Sequence, residues 1–131
     1  MTKENNKILV VDDDPKDLDL LLETLRNTDF HVITATNGNE ALSKLKNQKP
    51  SLILLDIVMP EMNGYQFCQM LKSEQAYKDI PVVFFTCKNT DEDKQWGYDL
   101  GADDYIAKPY TREELFSVLK KFFPQAQKKA A

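Results

Sequence analysis

The sequence predicts an α/β fold: a three-layer sandwich around a five-stranded parallel sheet. Two observations carry this. Five short apolar runs alternate strictly with five amphipathic helical patterns. Four of the runs have little polar alternation, which suits strands covered on both faces. The length, 131 residues, fits one domain with a core of its own.

The elements follow in order. The first run, residues 7–12, leads into Asp12-Asp13-Asp14. Asp14-Pro15 offers an N-cap and a proline at the first helical position, and Leu18, Leu21, Leu22 and Leu25 form one apolar stripe. After the run 31–35, Asn37 or Gly38 opens the second helix, with Ala41, Leu42 and Leu45 inward. The run 51–56 ends on Asp56, and Asn63-Gly64 opens a helix with Phe67, Cys68 and Leu71 inward. The run 81–86 ends on Thr86. Thr90-Asp91-Glu92-Asp93 resembles a capping box, and Trp96 is expected to pack with Leu100 against the sheet. The last run, residues 104–107, is short and mixed and suits an edge strand. Thr111-Arg112-Glu113-Glu114 starts the final helix, with Leu115, Val118, Leu119 and Phe122 inward. The boundaries expected are a polar segment over 1–6, the folded domain over 7–123, and a tail or linker stub over 124–131.

Composition excludes several classes. A net charge of −4 and a pI near 5.0 argue against non-specific nucleic-acid binding. Met1 to Lys7 lacks a signal-peptide core, and no apolar run approaches the roughly 20 residues that span a bilayer. A cytoplasmic protein without a membrane partner is expected. Cys68 and Cys87 form no CxxC and, with His31, make a poor zinc set; reduced thiols in or near the core are expected.

Parallel strands joined by helices make right-handed crossovers, and ligands of such sheets sit beyond the carboxyl ends of the strands. Asp12, Asp13, Asp56, Thr86 and Lys108 all fall there. Asp14 is assigned to capping instead. Clustered carboxylates repel one another, and a divalent cation relieves them. Oxygen-only ligands favour magnesium or manganese over zinc. Asp56 is then placed as a nucleophile toward phosphorus. The acyl phosphate formed adds nearly two negative charges, for which Lys108 offers a cation and Thr86 a hydroxyl.

Val11-Asp12-Asp13-Asp14-Pro15, Leu55-Asp56-Ile57-Val58-Met59-Pro60-Glu61-Met62-Asn63-Gly64, Phe85-Thr86 and Gly101-Ala102-Asp103-Asp104-Tyr105-Ile106-Ala107-Lys108-Pro109 resemble the receiver domains of two-component response regulators, of which CheY is the single-domain type. The likeness spans roughly residues 7–123. It implies the flavodoxin-like strand order 2-1-3-4-5. It also implies Asp56 as phosphoacceptor, Asp13 as a direct magnesium ligand, Asp12 as one acting largely through water, and the Val58 carbonyl as a further ligand. Thr86 and Tyr105 would be the switch pair, and the Lys108–Pro109 bond would be cis. The implied partners are a sensor histidine kinase or phosphotransfer protein, and a downstream protein on the face made by the fourth helix, fifth strand and fifth helix. Ile57-Val58-Met59-Pro60, Asn63-Gly64-Tyr65-Gln66-Phe67, Lys88 and Asp93-Lys94-Gln95-Trp96-Gly97 further resemble receivers of the twitching-motility and pilus-phototaxis type.

One departure from the family pattern concerns the site's mouth. Cys87 stands where a very small residue is usual, and Val58 and Lys88 occupy the positions two beyond Asp56 and Thr86. Val58 cannot orient an attacking water. A receiver excised from a longer regulator with an output domain is the alternative reading. An aspartate-nucleophile phosphatase would need an acid at position 58. A flavin-binding relative would need a hydroxyl-rich loop after the first strand, where the Asp triplet would repel phosphate. The expectation is therefore a phosphoacceptor signalling domain, not an enzyme acting on other molecules.

Overall fold

The computed structural model describes residues 6–124, so the expectations for residues 1–5 and 125–131 lie outside the described residues. Five strands, β1 (Lys7–Val11), β2 (His31–Ala35), β3 (Leu52–Leu55), β4 (Val82–Thr86) and β5 (Asp104–Ala107), alternate with five helices. The helices are α1 (Pro15–Thr24), α2 (Gly38–Asn47), α3 (Gly64–Ser73), α4 (Asp91–Asp99) and α5 (Arg112–Phe122). All the strand pairings are parallel, in the order β2-β1-β3-β4-β5. No helix among the described residues is long and apolar enough to cross a membrane.

The handedness of crossovers sorts the helices. Stepping from β1 to β2 moves one way across the sheet, and stepping from β2 through β3, β4 and β5 moves the other. Accordingly, α1 and α5 pack on one face, where Leu18, Leu21, Leu25, Leu115 and Leu119 meet Ile8, Val10, Leu54 and Phe85. The opposite face takes α2 and α3, with Ala41, Leu45, Phe67 and Leu71 against Leu9, Val11, Ile53 and Phe84. The direction reverses between β1 and β3, which opens a crevice between the ends of those two strands.

Local chemistry starts each helix where the sequence places it. The Asp14 carboxylate accepts from the Lys16 amide at 2.9 Å ahead of Pro15, and Asn37 accepts from the Glu40 amide at 2.7 Å. Asn63/Gln66, Thr90/Asp93 and Thr111/Glu114 close reciprocal capping boxes. Each cap is worth about 0.5–2 kcal/mol.

Four expectations need correction. The run forming β2 is not covered on both faces: as an edge strand it alternates, with His31 exposed and Ile33 and Ala35 buried. Leu22 leaves the apolar stripe of α1 at 40% exposed, because Leu18, Leu21 and Leu25 already fill the face toward the sheet. Trp96 does not lie against the sheet. It is 57% exposed, and Gly97 beside it makes the close approach to Phe84 and Tyr105. Cys87 is exposed at the end of β4; only Cys68 is in the core, where burial pushes its thiol up to about 11.

The neighbours Leu21 and Leu22 test the packing of α1. Leu21→Ala should cost about 2–5 kcal/mol in urea denaturation, and Leu22→Ala less than about 0.5. Equal losses would contradict the orientation of the helix.

Candidate functional site

Among the described residues, Asp12, Asp56 and Thr86 are the buried polar side chains, and all three sit at the carboxyl edge of the sheet. Register brings them there. The Asp56 amide donates to the Val11 carbonyl at 2.9 Å, and the Asp12 amide to the Ala35 carbonyl at 3.0 Å, so the two acids continue the ladder beyond β3 and β1. The Lys108 amide donates to the Thr86 carbonyl at 2.9 Å, which extends β5 alongside β4. The peptide bond that follows, Lys108–Pro109, is cis.

Lys108 reaches back across the edge. Its ammonium donates to Asp12 Oδ2 at 2.6 Å and to Asp17 Oδ2 at 2.7 Å, lies 3.6 Å from Asp56 Oδ2, and rests 4.6 Å above the Phe85 ring. Burial opposes its charge, but the bonds to Asp12 and Asp17 and the field of Asp56 outweigh that and raise its pKa. Asp12 experiences the opposite balance. Burial pushes it up to about 6, against the lowering by Lys108 and by the Asp14 amide, which donates to Asp12 Oδ1 at 3.0 Å. Asp56 Oδ1 accepts from the Ile57 amide at 2.7 Å, with the Val58 amide at 3.4 Å.

A carboxylate oxygen from each of Asp12, Asp13 and Asp56 lies within 4.8 Å of the others. With Asp13 exposed and Asp12 and Asp56 buried, these acids form a pocket open on one side. Buried carboxylates of like charge, one with its pKa raised, fit a hard divalent cation. Such a cation would neutralise carboxylates that Lys108, occupied by Asp12 and Asp17, leaves uncompensated. The Val58 side chain is 54% exposed, so it leaves the mouth open on its side.

Thr86 and Tyr105 converge on one residue. The Thr86 hydroxyl accepts from the Lys88 amide at 3.3 Å, and the Tyr105 hydroxyl donates to the Lys88 carbonyl. The Tyr105 ring is buried between Phe84 and Tyr98.

Two contributors were not legible as site residues. Asp17, in the first turn of α1, is the second acid on Lys108; an acidic residue there reads only as favourable to the helix dipole. Gly64 appears in the sequence as a helix start. In the structure its amide donates to the Ile57 carbonyl at 2.8 Å, and a Cβ there would overlap the Asp56 carbonyl oxygen. Glycine thus lets α3 begin directly against the loop that carries Asp56.

The geometry agrees with comparisons to known proteins. The family model described as response regulator receiver domain matches residues 8–120. The chain is 40% identical over 116 residues to the alkaline phosphatase synthesis transcriptional regulatory protein PhoP of Bacillus subtilis, covering 88% of this chain. It spans only about half of that relative's length, 48%. It is 38% identical over 119 residues to Protein PilG of Pseudomonas aeruginosa, covering 90% of this chain and 87% of PilG. Among solved structures, the chemotaxis protein CheY4 of Vibrio cholerae superposes with a TM-score of 0.84 at 31% identity, covering 91% of this chain and 99% of CheY4.

The acidic pocket has a pH dependence with a definite sign. The folded pKa of Asp12 is raised to about 6 from 3.8, so between those values the native state holds a proton the unfolded chain has lost. By itself Asp12 therefore costs stability as pH rises through that window. A divalent cation must displace that proton. Magnesium should raise the melting temperature more at pH 7.5 than at pH 5, and Asp13→Ala should remove most of the rise at pH 7.5. Equal stabilisation at the two pH values, or an undiminished rise in the variant, would refute this ligand set.

Proposed function

The chain belongs to the response regulator receiver family, and from that premise we propose that Asp56 accepts a phosphoryl group from a sensor histidine kinase or a phosphotransfer protein. The observation that carries this reading is the meeting of Asp12, Asp56 and Thr86, all buried, with Lys108 at one sheet edge. A carboxylate oxygen of Asp56 attacks phosphorus. The new O–P bond forms as the bond from phosphorus to the donor's imidazole nitrogen breaks, and the imidazole keeps the electron pair. Magnesium or manganese held by Asp12, Asp13, Asp56 and the Val58 carbonyl would offset the charge on the phosphoryl oxygens. Lys108, fixed by Asp12 and Asp17, supplies a permanent cation 3.6 Å from the nucleophile.

The switch runs through Lys88. If the Thr86 hydroxyl turns to donate to the phosphoryl group, the Lys88 amide loses its acceptor. The carbonyl of the same residue holds Tyr105, so the change passes to the surface of α4, β5 and α5, where a downstream protein docks. Phosphorylation shifts the equilibrium by the bond Thr86 makes only in that state.

The bound phosphoryl group is long-lived in this reading. Exposed Val58 offers no hydrogen bond from its side chain to orient an in-line water, and Cys87 narrows the approach from the cleft it lines with Lys108 and Asp17. Likeness to twitching-motility and pilus-phototaxis receivers, together with the similarity to PilG, favours a motility pathway. The span of about half of PhoP supports the second reading, a receiver that works with an output domain.

Asp56→Asn should abolish labelling by a small acyl phosphate donor with magnesium; undiminished labelling would overturn the acceptor assignment. Thr86→Ala should still be labelled but should lose most of the gain in partner affinity on activation. The phosphorylated wild type should decay over minutes, and Val58→Asn with Lys88→Glu should decay faster. Decay within seconds, or no acceleration in the double variant, would refute the kinetic part alone.

A further inference from the structure

Trp96 is the single tryptophan of the chain and among the most exposed of its large apolar side chains, at 57%. Its ring stands on α4 edge-to-face with Tyr65 of α3, centroids 6.2 Å apart and planes at 78°. Tyr65 is itself fixed. Its ring packs on Phe84 at 5.6 Å, and its hydroxyl donates to the Asp93 carbonyl at 3.2 Å. The pair therefore forms an aromatic step at the seam between α3 and α4, with Tyr65 as its fixed side.

The charged helix neighbours of Trp96 are all acidic. On a helix the neighbours of position 96 are 92, 93, 99 and 100, here Glu92, Asp93, Asp99 and Leu100. Asp93 is engaged in the capping box of α4 and Asp99 accepts from Gln95, while Glu92 has no ion-pair partner among the described residues. The α3 neighbours of Tyr65, three and four residues on, are Cys68 and Gln69, which are uncharged. Among the described residues, the nearby cations leave Glu92 and Asp99 uncompensated. Lys94 lines the separate groove between α4 and α5 with Tyr105, Ser117 and Val118, and Lys88 lies before the helix, where its charge acts on Asp93.

An exposed indole face bordered by carboxylates is complementary to a cation that carries a flat, weakly hydrated head. We propose that the Trp96–Tyr65 step of α4 and α3 is a docking surface for an arginine-bearing segment of a partner protein. A guanidinium stacks on Trp96 within reach of Glu92 and Asp99. This surface is distinct from the groove lined by Tyr105 and Ser117. It does not need phosphorylation of Asp56, so its test is independent of the phosphoacceptor reading.

The probe is a hexa-arginine peptide, titrated at low salt into the unphosphorylated chain. Trp96 fluorescence should change saturably, and calorimetry should give a matching affinity. Trp96→Ala should weaken binding by roughly twofold to fivefold and Trp96→Phe by less, the order expected for a cation over these rings. Glu92→Gln with Asp99→Asn should weaken it as well. Asp19→Asn with Glu23→Gln removes the same charge from α1 on the opposite face and should have a smaller effect. No saturable binding, binding that leaves the fluorescence unchanged, or equal losses in the two charge-removal variants would overturn the proposal. Self-association abolished by Trp96→Ala would also overturn it, by making a second copy the occupant.

Discussion

A buried ammonium sets the terms at the carboxyl edge of the sheet. Lys108 is 13% exposed and faces Asp12, Asp17 and Asp56 at once. Unit charges about 4 Å apart at an effective dielectric near 20 interact by roughly 4 kcal/mol, so these contacts decide where the side chain lies. They do not explain its presence through stability. A buried ion pair is often matched by apolar residues of the same volume, whereas removing one partner costs about 3–5 kcal/mol. The arrangement makes sense as a charge held in place for something that arrives. It joins the last strand to the first across the crevice where the strand order reverses, and so sets a positive charge 3.6 Å from Asp56.

Rigidity is unevenly distributed around that edge. β1, β3 and β4 are almost wholly buried, and α1, α2, α3 and α5 each seat two or more side chains in the core. In α4, Gly97 is the buried residue, and the contact it makes is a close approach of backbone to the rings of Phe84 and Tyr105. An element held by so little apolar area is the one whose position can change at low cost. It is held by the Thr90/Asp93 cap, by the Tyr65 hydroxyl on Asp93, and by the Tyr105 ring beneath it. The structure thus places its least anchored helix next to Lys88, the residue that both Thr86 and Tyr105 grip.

Much of this could be read from the chain, because the signals were local or periodic. Strand ends, caps and the residues at positions 12, 13, 56, 86 and 108 follow from runs of apolar residues and the polar residue that ends each. Features that depend on partners distant in sequence could not be read. Whether Leu22 or Leu21 faces the sheet depends on which part of the stripe the sheet has room for. Asp17 is a helix-dipole residue until Lys108, far along the chain, arrives beside it. By residue type Trp96 belongs in the core, but the backbone of Gly97 takes that place.

The sequence by itself determined the five βα units, the identity of the residues at the strand ends, and hence the chemistry available: carboxylates, a hydroxyl and an ammonium. It could do so because hydrophobic periodicity and capping act over a few residues and need no knowledge of the rest of the chain. Only the tertiary structure decided how those groups meet. Parallel register sets Asp56 beside Val11, and the reach of Lys108 joins β5 to β1 and α1. The absence of a side chain at Gly64 lets α3 close on the Asp56 loop. Burial then raises the pKa of Asp12 and opposes the charge of Lys108, whose pKa the bonds to Asp12 and Asp17 raise against that penalty; burial is a property of the packed molecule, not of any stretch of sequence.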